Sequence, residues 1–168
     1  MREPLALPDK FIEFLAHWRA LQGTARMPTL ADFLDRPIPG LQPWVVIFDL
    51  GEDVICRLLG TALANFYGID FTGNSASAVY APVGLELIRR THALMVERSC
   101  GSLSLSSGTT SAGRFTEMLT MGLPLSRRHE TSVVWLVEPS MTAMGETGMP
   151  GRRLTKHEWI DLGHGVPG

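Results

Sequence analysis

Apolar residues return along this chain in two rhythms, every three to four residues near the N-terminus and every second residue further on. After Asp9, a good helix cap, Phe11, Phe14, Leu15, Trp18 and Leu21 define the stripe of an amphipathic helix that Gly23 stops. That stripe must be covered, either by the chain's own domain or by a second subunit. Pro28, Pro37, Pro39 and Pro43 break up the next stretch, where Leu30, Phe33, Leu34 and Leu41 anchor a wrapped connection and Thr29 to Leu34 fits a short helix. Trp44 to Leu50 and Val54 to Leu59 read as strands joined by a hairpin turn at Gly51-Glu52-Asp53.

Beyond them, Gly60 marks a turn that a Cβ would strain, and Thr61 is placed to cap a short helix from Ala62 to Tyr67. Gly68 closes that helix in the left-handed conformation, and Asp70 to Gly73 make a second tight turn. Pro82 occupies a first helical position, and Val83 to Arg98 is the longest later helix-compatible run. Leu103 and Leu105 alternate with Ser102, Ser104 and Ser106, and Gly113-Arg114 turns the chain into Phe115 to Leu125, where Phe115, Leu119, Met121 and Leu123 share one face. Thr131 to Val137 supplies the last strand. Two strands, a helical middle and three strands predict an α+β fold: a five-stranded antiparallel sheet with helices on one face and an additional N-terminal helix. Pro139, Gly145, Gly148, Pro150, Gly151 and the stretch from Gly163 to Gly168 predict a mobile tail, in which Leu154 to Leu162 fits an isolated helix. The expected division is therefore a helical extension over 1–26, a domain over 27–138 and a flexible tail over 139–168.

Composition narrows the partners. A chain of 168 residues suits one domain with a single core. A net charge of -2 and an isoelectric point of about 6.2 leave no basic surface for nucleic acid. Cys56 and Cys100 fit no metal-ligand spacing and read as free thiols of a reducing cytosol. The N-terminus has no basic region followed by an apolar run, and no apolar segment approaches the roughly 20 residues that cross a bilayer. A cytoplasmic protein without nucleic-acid or membrane partners is expected.

Few residues carry chemistry. Leu85, Ile88, His92 and Met95 fall on one side of the long helix, so His92 is either a ligand contact or a core-edge histidine bonded to a carbonyl or water. Arg57 offers a two-pronged grip on a carboxylate or phosphate, and Tyr67 an aromatic face with a hydroxyl tip. Against this, Arg57 can pair with Asp49, Glu52 or Asp53 across the first hairpin. Ser102, Ser104, Ser106, Thr109, Thr110 and Ser111 either line a polar cavity or form the wet face of a sheet. The run from Gly108 to Gly113 is not a nucleophile elbow, and Arg127-Arg128-His129-Glu130 lacks the second histidine of a zinc-protease motif.

The order of the whole chain carries a resemblance. The helix with Trp18, Arg26-Met27-Pro28, the linker from Asp32 to Leu41 and the strand ending Phe48-Asp49 lead into Arg57-Leu58-Leu59-Gly60-Thr61, Phe66-Tyr67-Gly68-Ile69-Asp70 and Thr72-Gly73. Over roughly its first four fifths, before the loop-like tail, the chain resembles the PAS sensory domains, and among them a family of small, mostly stand-alone bacterial PAS proteins. The resemblance implies a sensory or regulatory module whose small-molecule ligand is met by Arg57, Phe66, Tyr67, His92, Met95 and Met121. It also implies a homodimer, with the N-terminal helix as its contact, or a signalling partner protein. Haem-binding PAS domains carry their iron-ligating histidine on the helix of His92, but no matching pocket signature accompanies it. Flavin-binding light sensors use a helical cysteine within an asparagine-cysteine-arginine motif, whereas Cys56 lies in a strand. No cofactor is expected, and haem and flavin are disfavoured. Two other readings stay open: a small enzyme with His92 as acid or base and Tyr67 or Arg57 as oxyanion partner, and an adaptor whose pocket is filled by side chains.

Overall fold

The computed structural model describes residues 4–109, 113–139 and 153–168. Thr110, Ser111 and the tail residues Gly145, Gly148, Pro150 and Gly151 lie outside the described residues.

Helix α1 (Asp9–Gln22) starts after an extended Pro8, so Asp9 stands in the first turn, not at the cap. Phe11, Phe14 and Trp18 are its buried residues, and Gly23 ends it at a φ of 55°. Helix α2 (Leu30–Asp35) is capped by Thr29, whose Oγ1 accepts from the Asp32 amide at 3.0 Å. The chain then enters the sheet as β1 (Val45–Leu50) and β2 (Val54–Leu59), crosses one face through α3 (Thr61–Tyr67) and α4 (Pro82–Arg98), and returns as β3 (Gly101–Thr109), β4 (Phe115–Arg127) and β5 (Glu130–Pro139). The sheet is antiparallel throughout, in the order β2-β1-β5-β4-β3 followed by a sixth strand, β6 (Arg153–Ile160).

That sixth strand corrects two expectations. The sheet has six strands, not five, and the segment expected as an isolated helix from Leu154 to Leu162 is extended and paired with β3 from Gly101↔Ile160 to Ser107↔Arg153. The physical reason is the free edge of β3, whose backbone donors and acceptors gain partners when β6 docks on them. Helical compatibility within the segment is a weak preference that pairing overrides.

Alternation along β1 divides the core. Val45 and Ile47 join Leu103, Met121, Leu123, Leu125, Val134 and Leu136 against Phe11, Phe14, Trp18, Leu30 and Phe33. Val46 and Phe48 join Cys56, Met118 and Val137 against Leu63, Phe66, Phe71 and Ala76. So α1 and α2 cover one face, and α3 and α4 cross the other. Phe11, Phe14 and Trp18, the buried stripe of α1, pack on their own sheet.

Gly60 is required for a different reason from the one its turn suggests. Its φ of -62° is ordinary, and it is itself the cap of α3, with no side-chain bond from Thr61. Its amide instead donates to the Val45 carbonyl at 2.8 Å, and a Cβ there would lie 2.2 Å from the Pro43 carbonyl oxygen. Gly68 closes α3 at a φ of 72°, the left-handed conformation expected of it.

Candidate functional site

The inner side of α4 meets the sheet at Trp135. Trp135 stands opposite Gly122 in the β4–β5 ladder, and a Cβ on Gly122 would lie 2.7 Å from atoms of the indole. The indole therefore rests on bare backbone, and its Nε1–H points at α4, donating to His92 Nε2 at 2.8 Å. This bond fixes the tautomer. With Nε2 accepting, the proton of the neutral imidazole sits on Nδ1, which is buried and has no hydrogen-bond partner among the described residues. Burial pushes the His92 pKa down to about 3, so the ring stays neutral at physiological pH.

Aromatic rings continue outward from this pair. His92 lies 5.5 Å from Trp135 and 5.9 Å from Phe48, Phe48 meets Tyr80 at 6.4 Å, and the Tyr80 and Tyr67 hydroxyls stand 3.4 Å apart. Tyr67 in turn packs edge-on against Phe66 and Phe71. Phe66 is fully buried, as is Met95, one turn along α4 from His92. Four residues expected to share a ligand site, Phe66, Tyr67, His92 and Met95, thus belong to the layer formed by α3, α4 and this sheet face.

Two expected members lie elsewhere. Arg57 grips Asp49 in two prongs, Nε to Oδ1 at 2.8 Å and a terminal nitrogen to Oδ2 at 2.6 Å. Asp49 has the alternation of Val45 and Ile47, the α1 side of the sheet, and also accepts from Arg127 and from the Ser132 hydroxyl at 2.7 Å. Burial opposes ionisation of Asp49, but the bonds from Arg57 and Ser132, with the charges of Arg57 and Arg127, hold its pKa below the ordinary value. Arg57 therefore makes the cross-hairpin pair and lies apart from His92. Met121 packs in the α1 core, and Met118, three positions earlier and of opposite alternation, lies in the α3 core.

The serine stripe is corrected too. Ser102, Ser104 and Ser106 are buried, not a wet face; Ser106 donates to the Met118 carbonyl, and the Ser104 carbonyl accepts from Thr120. Cys56 is buried, and desolvation followed by the charge of Asp70 pushes its thiol up to about 12, away from thiolate chemistry. Among the described residues no group of three or more His, Cys, Asp or Glu could hold a metal, and no helix is long and apolar enough to cross a membrane.

Sequence reading missed Trp135, Phe48 and Tyr80. The available signal was the pair Gly122 and Trp135, a bare position and a large ring in neighbouring strands. A groove of about 430 Å³ lies beside the aromatic layer, between α4 (Arg89, Ala93, Val96, Glu97) and the first hairpin (Leu50, Gly51, Val54).

A helical connection lies across an antiparallel sheet here, with a buried histidine on its long helix, and a family model described as a PAS domain matches residues 8–136. The chain belongs to the PAS domain family. The match takes in α1 as well as the sheet through β5, and no curated protein sequence matches the chain. PAS membership places the protein among sensory and regulatory modules of signal transduction, and the aromatic layer of this PAS domain combines a fully buried histidine with apolar cover.

Proposed function

We propose that the protein is a non-catalytic PAS sensor, one of the small stand-alone bacterial type, that admits a small amphipathic molecule between α4 and the sheet and passes the signal on by dimerisation or to a partner protein. The observation that carries this reading is the buried Nδ1–H of His92, a donor without an acceptor among the described residues. An unmet buried donor costs about 1–3 kcal/mol, which a ligand carrying a carbonyl or similar acceptor would recover. Aromatic and aliphatic side chains around it suit the rest of such a molecule. The reading needs neither haem nor flavin: Nε2 of His92 is occupied by the Trp135 indole, and Cys56 is held as a thiol.

The test is to purify the untagged protein, denature it and identify released small molecules by mass spectrometry, then add each back while following the His92 ring by ¹⁵N NMR. A ligand of this site would move the Nδ1 resonance and lose affinity at least tenfold in His92→Phe. If neither released compounds nor a screen of amphipathic carbonyl compounds perturbs that resonance, the ligand reading fails and an adaptor is favoured.

A further inference from the structure

The outer side of α4 is as unusual as its inner side. Val83 is 85% exposed and Leu87 46%, and Leu94, half-buried, continues their line along the helix. With Arg90, these residues follow one another at spacings of four, three and four, the seam of a helix that packs against another helix. The seam spans 12 residues, a rise of about 16 Å along the helix. Glu86 and Arg90 flank Leu87, are exposed, and form no ion pair with another described residue.

We infer that this seam is a homodimer contact in which α4 pairs antiparallel with α4 of a second copy. Twofold symmetry is what the charges select. An axis between Ile88 and Arg89 sets Val83 of one copy against Leu94 of the other and Leu87 against Arg90, whose guanidinium then reaches the partner's Glu86. Two identical ion pairs close the seam, and each Arg90 lays its aliphatic stem over a leucine. A parallel pairing would instead stack Glu86 on Glu86 and Arg90 on Arg90. The α1 stripe cannot serve, since Phe11, Phe14 and Trp18 are buried on their own sheet. The inference gives the homodimer of the proposed function its surface and rests on that part of the reading alone. It also places the dimer contact on the same helix as His92, one layer from the aromatic rings.

The experiment is sedimentation velocity on the full chain over a hundredfold range of concentration. The wild type should be a dimer, and Leu87→Glu, Glu86→Arg and Arg90→Glu should each weaken association at least tenfold while circular dichroism shows an intact fold. The double variant Glu86→Arg/Arg90→Glu should recover the dimer, because the pairs are restored with their signs exchanged. A wild type monomeric throughout, a dimer indifferent to the single reversals, or a double variant that stays monomeric overturns the inference. None of these outcomes bears on the His92 resonance, so ligand binding stands or falls separately.

Discussion

Trp18 and Trp135 each lay an indole against one face of the same sheet, and each donates one hydrogen bond, but to acceptors of different kinds. Trp18 donates at 2.9 Å to the Pro124 carbonyl, a backbone group that neither titrates nor changes partner. Trp135 donates to His92 Nε2, a side chain on a helix, and leaves that ring's other nitrogen unmet. His17 of α1 also has a buried Nε2 without a partner among the described residues, in a half-buried ring that lies on Phe33. On the α1 face the polar cluster around Asp49 is paired with Arg57, Arg127 and Ser132; the α4 face holds a fully buried histidine whose pKa desolvation lowers. The comparison teaches that the two sides differ in whether the acceptor of the indole is a group that can titrate.

If the α1 face is the structural one, it should bear the largest stability cost. Trp18→Ala removes a fully buried indole and its backbone bond, and should destabilise by about 3–5 kcal/mol in urea denaturation. His92 ligand contacts should be kept in whatever fraction remains folded. A loss below about 1 kcal/mol would mean that α1 is an appendage to the domain.

Acid should act through the other face. His92 has its pKa lowered by burial from 6.5 to about 3, so on acidification the unfolded chain takes up a proton that the folded one refuses. Stability contributed by the neutral ring is complete above pH 6.5 and is lost progressively as pH falls from 6.5 towards 3. By pH 5 the loss is about 2 kcal/mol, at 1.36 kcal/mol per unit. Denaturation curves at pH 7, 6 and 5 should show this slope in the wild type, and His92→Phe should flatten it. An equal slope in the variant would place the acid response in other groups.

A smaller change should uncouple the pair without emptying the core. Gly122→Ala puts a Cβ 2.7 Å from the Trp135 indole, so the ring must tilt, at a cost of about 1–3 kcal/mol. The tilt breaks the bond to His92, and the tryptophan emission maximum and the His92 Nε2 resonance should both move. Unchanged spectra would mean that the indole does not depend on Gly122 for its place.

How far this contrast was legible in the sequence depends on the residue. The helix of His92 and its companion Met95 could be read because α4 shows the 3.6-residue period and Pro82 marks its start. Met121 could not be placed, because β4 is buried on both faces through its middle and period two then separates two sides without saying which carries the ligand. Trp135 was invisible as His92's partner, since β5 and α4 are brought together only by the crossing of α4 over the sheet. β6 was missed because its partner edge on β3 is a tertiary feature, not a local propensity. Ser102, Ser104 and Ser106 imitate a solvated face by composition alone, yet all three are buried, with the Ser106 hydroxyl on the Met118 carbonyl and that of Ser102 on the His157 ring.

Arg57 gives the sharpest small effect, because the two roles read for it predict opposite results. Its guanidinium is paired with Asp49 on the α1 side, and its side chain is 37% exposed, so solvent screens much of the attraction. Arg57→Ala should cost no more than about 1 kcal/mol, since Arg127 and Ser132 remain to satisfy the Asp49 carboxylate. A ligand that meets His92 should bind this variant as it binds the wild type, because the sheet itself stands between the two residues. A tenfold loss of affinity in Arg57→Ala, with stability preserved, would bring Arg57 into the ligand site and move that site toward the first hairpin.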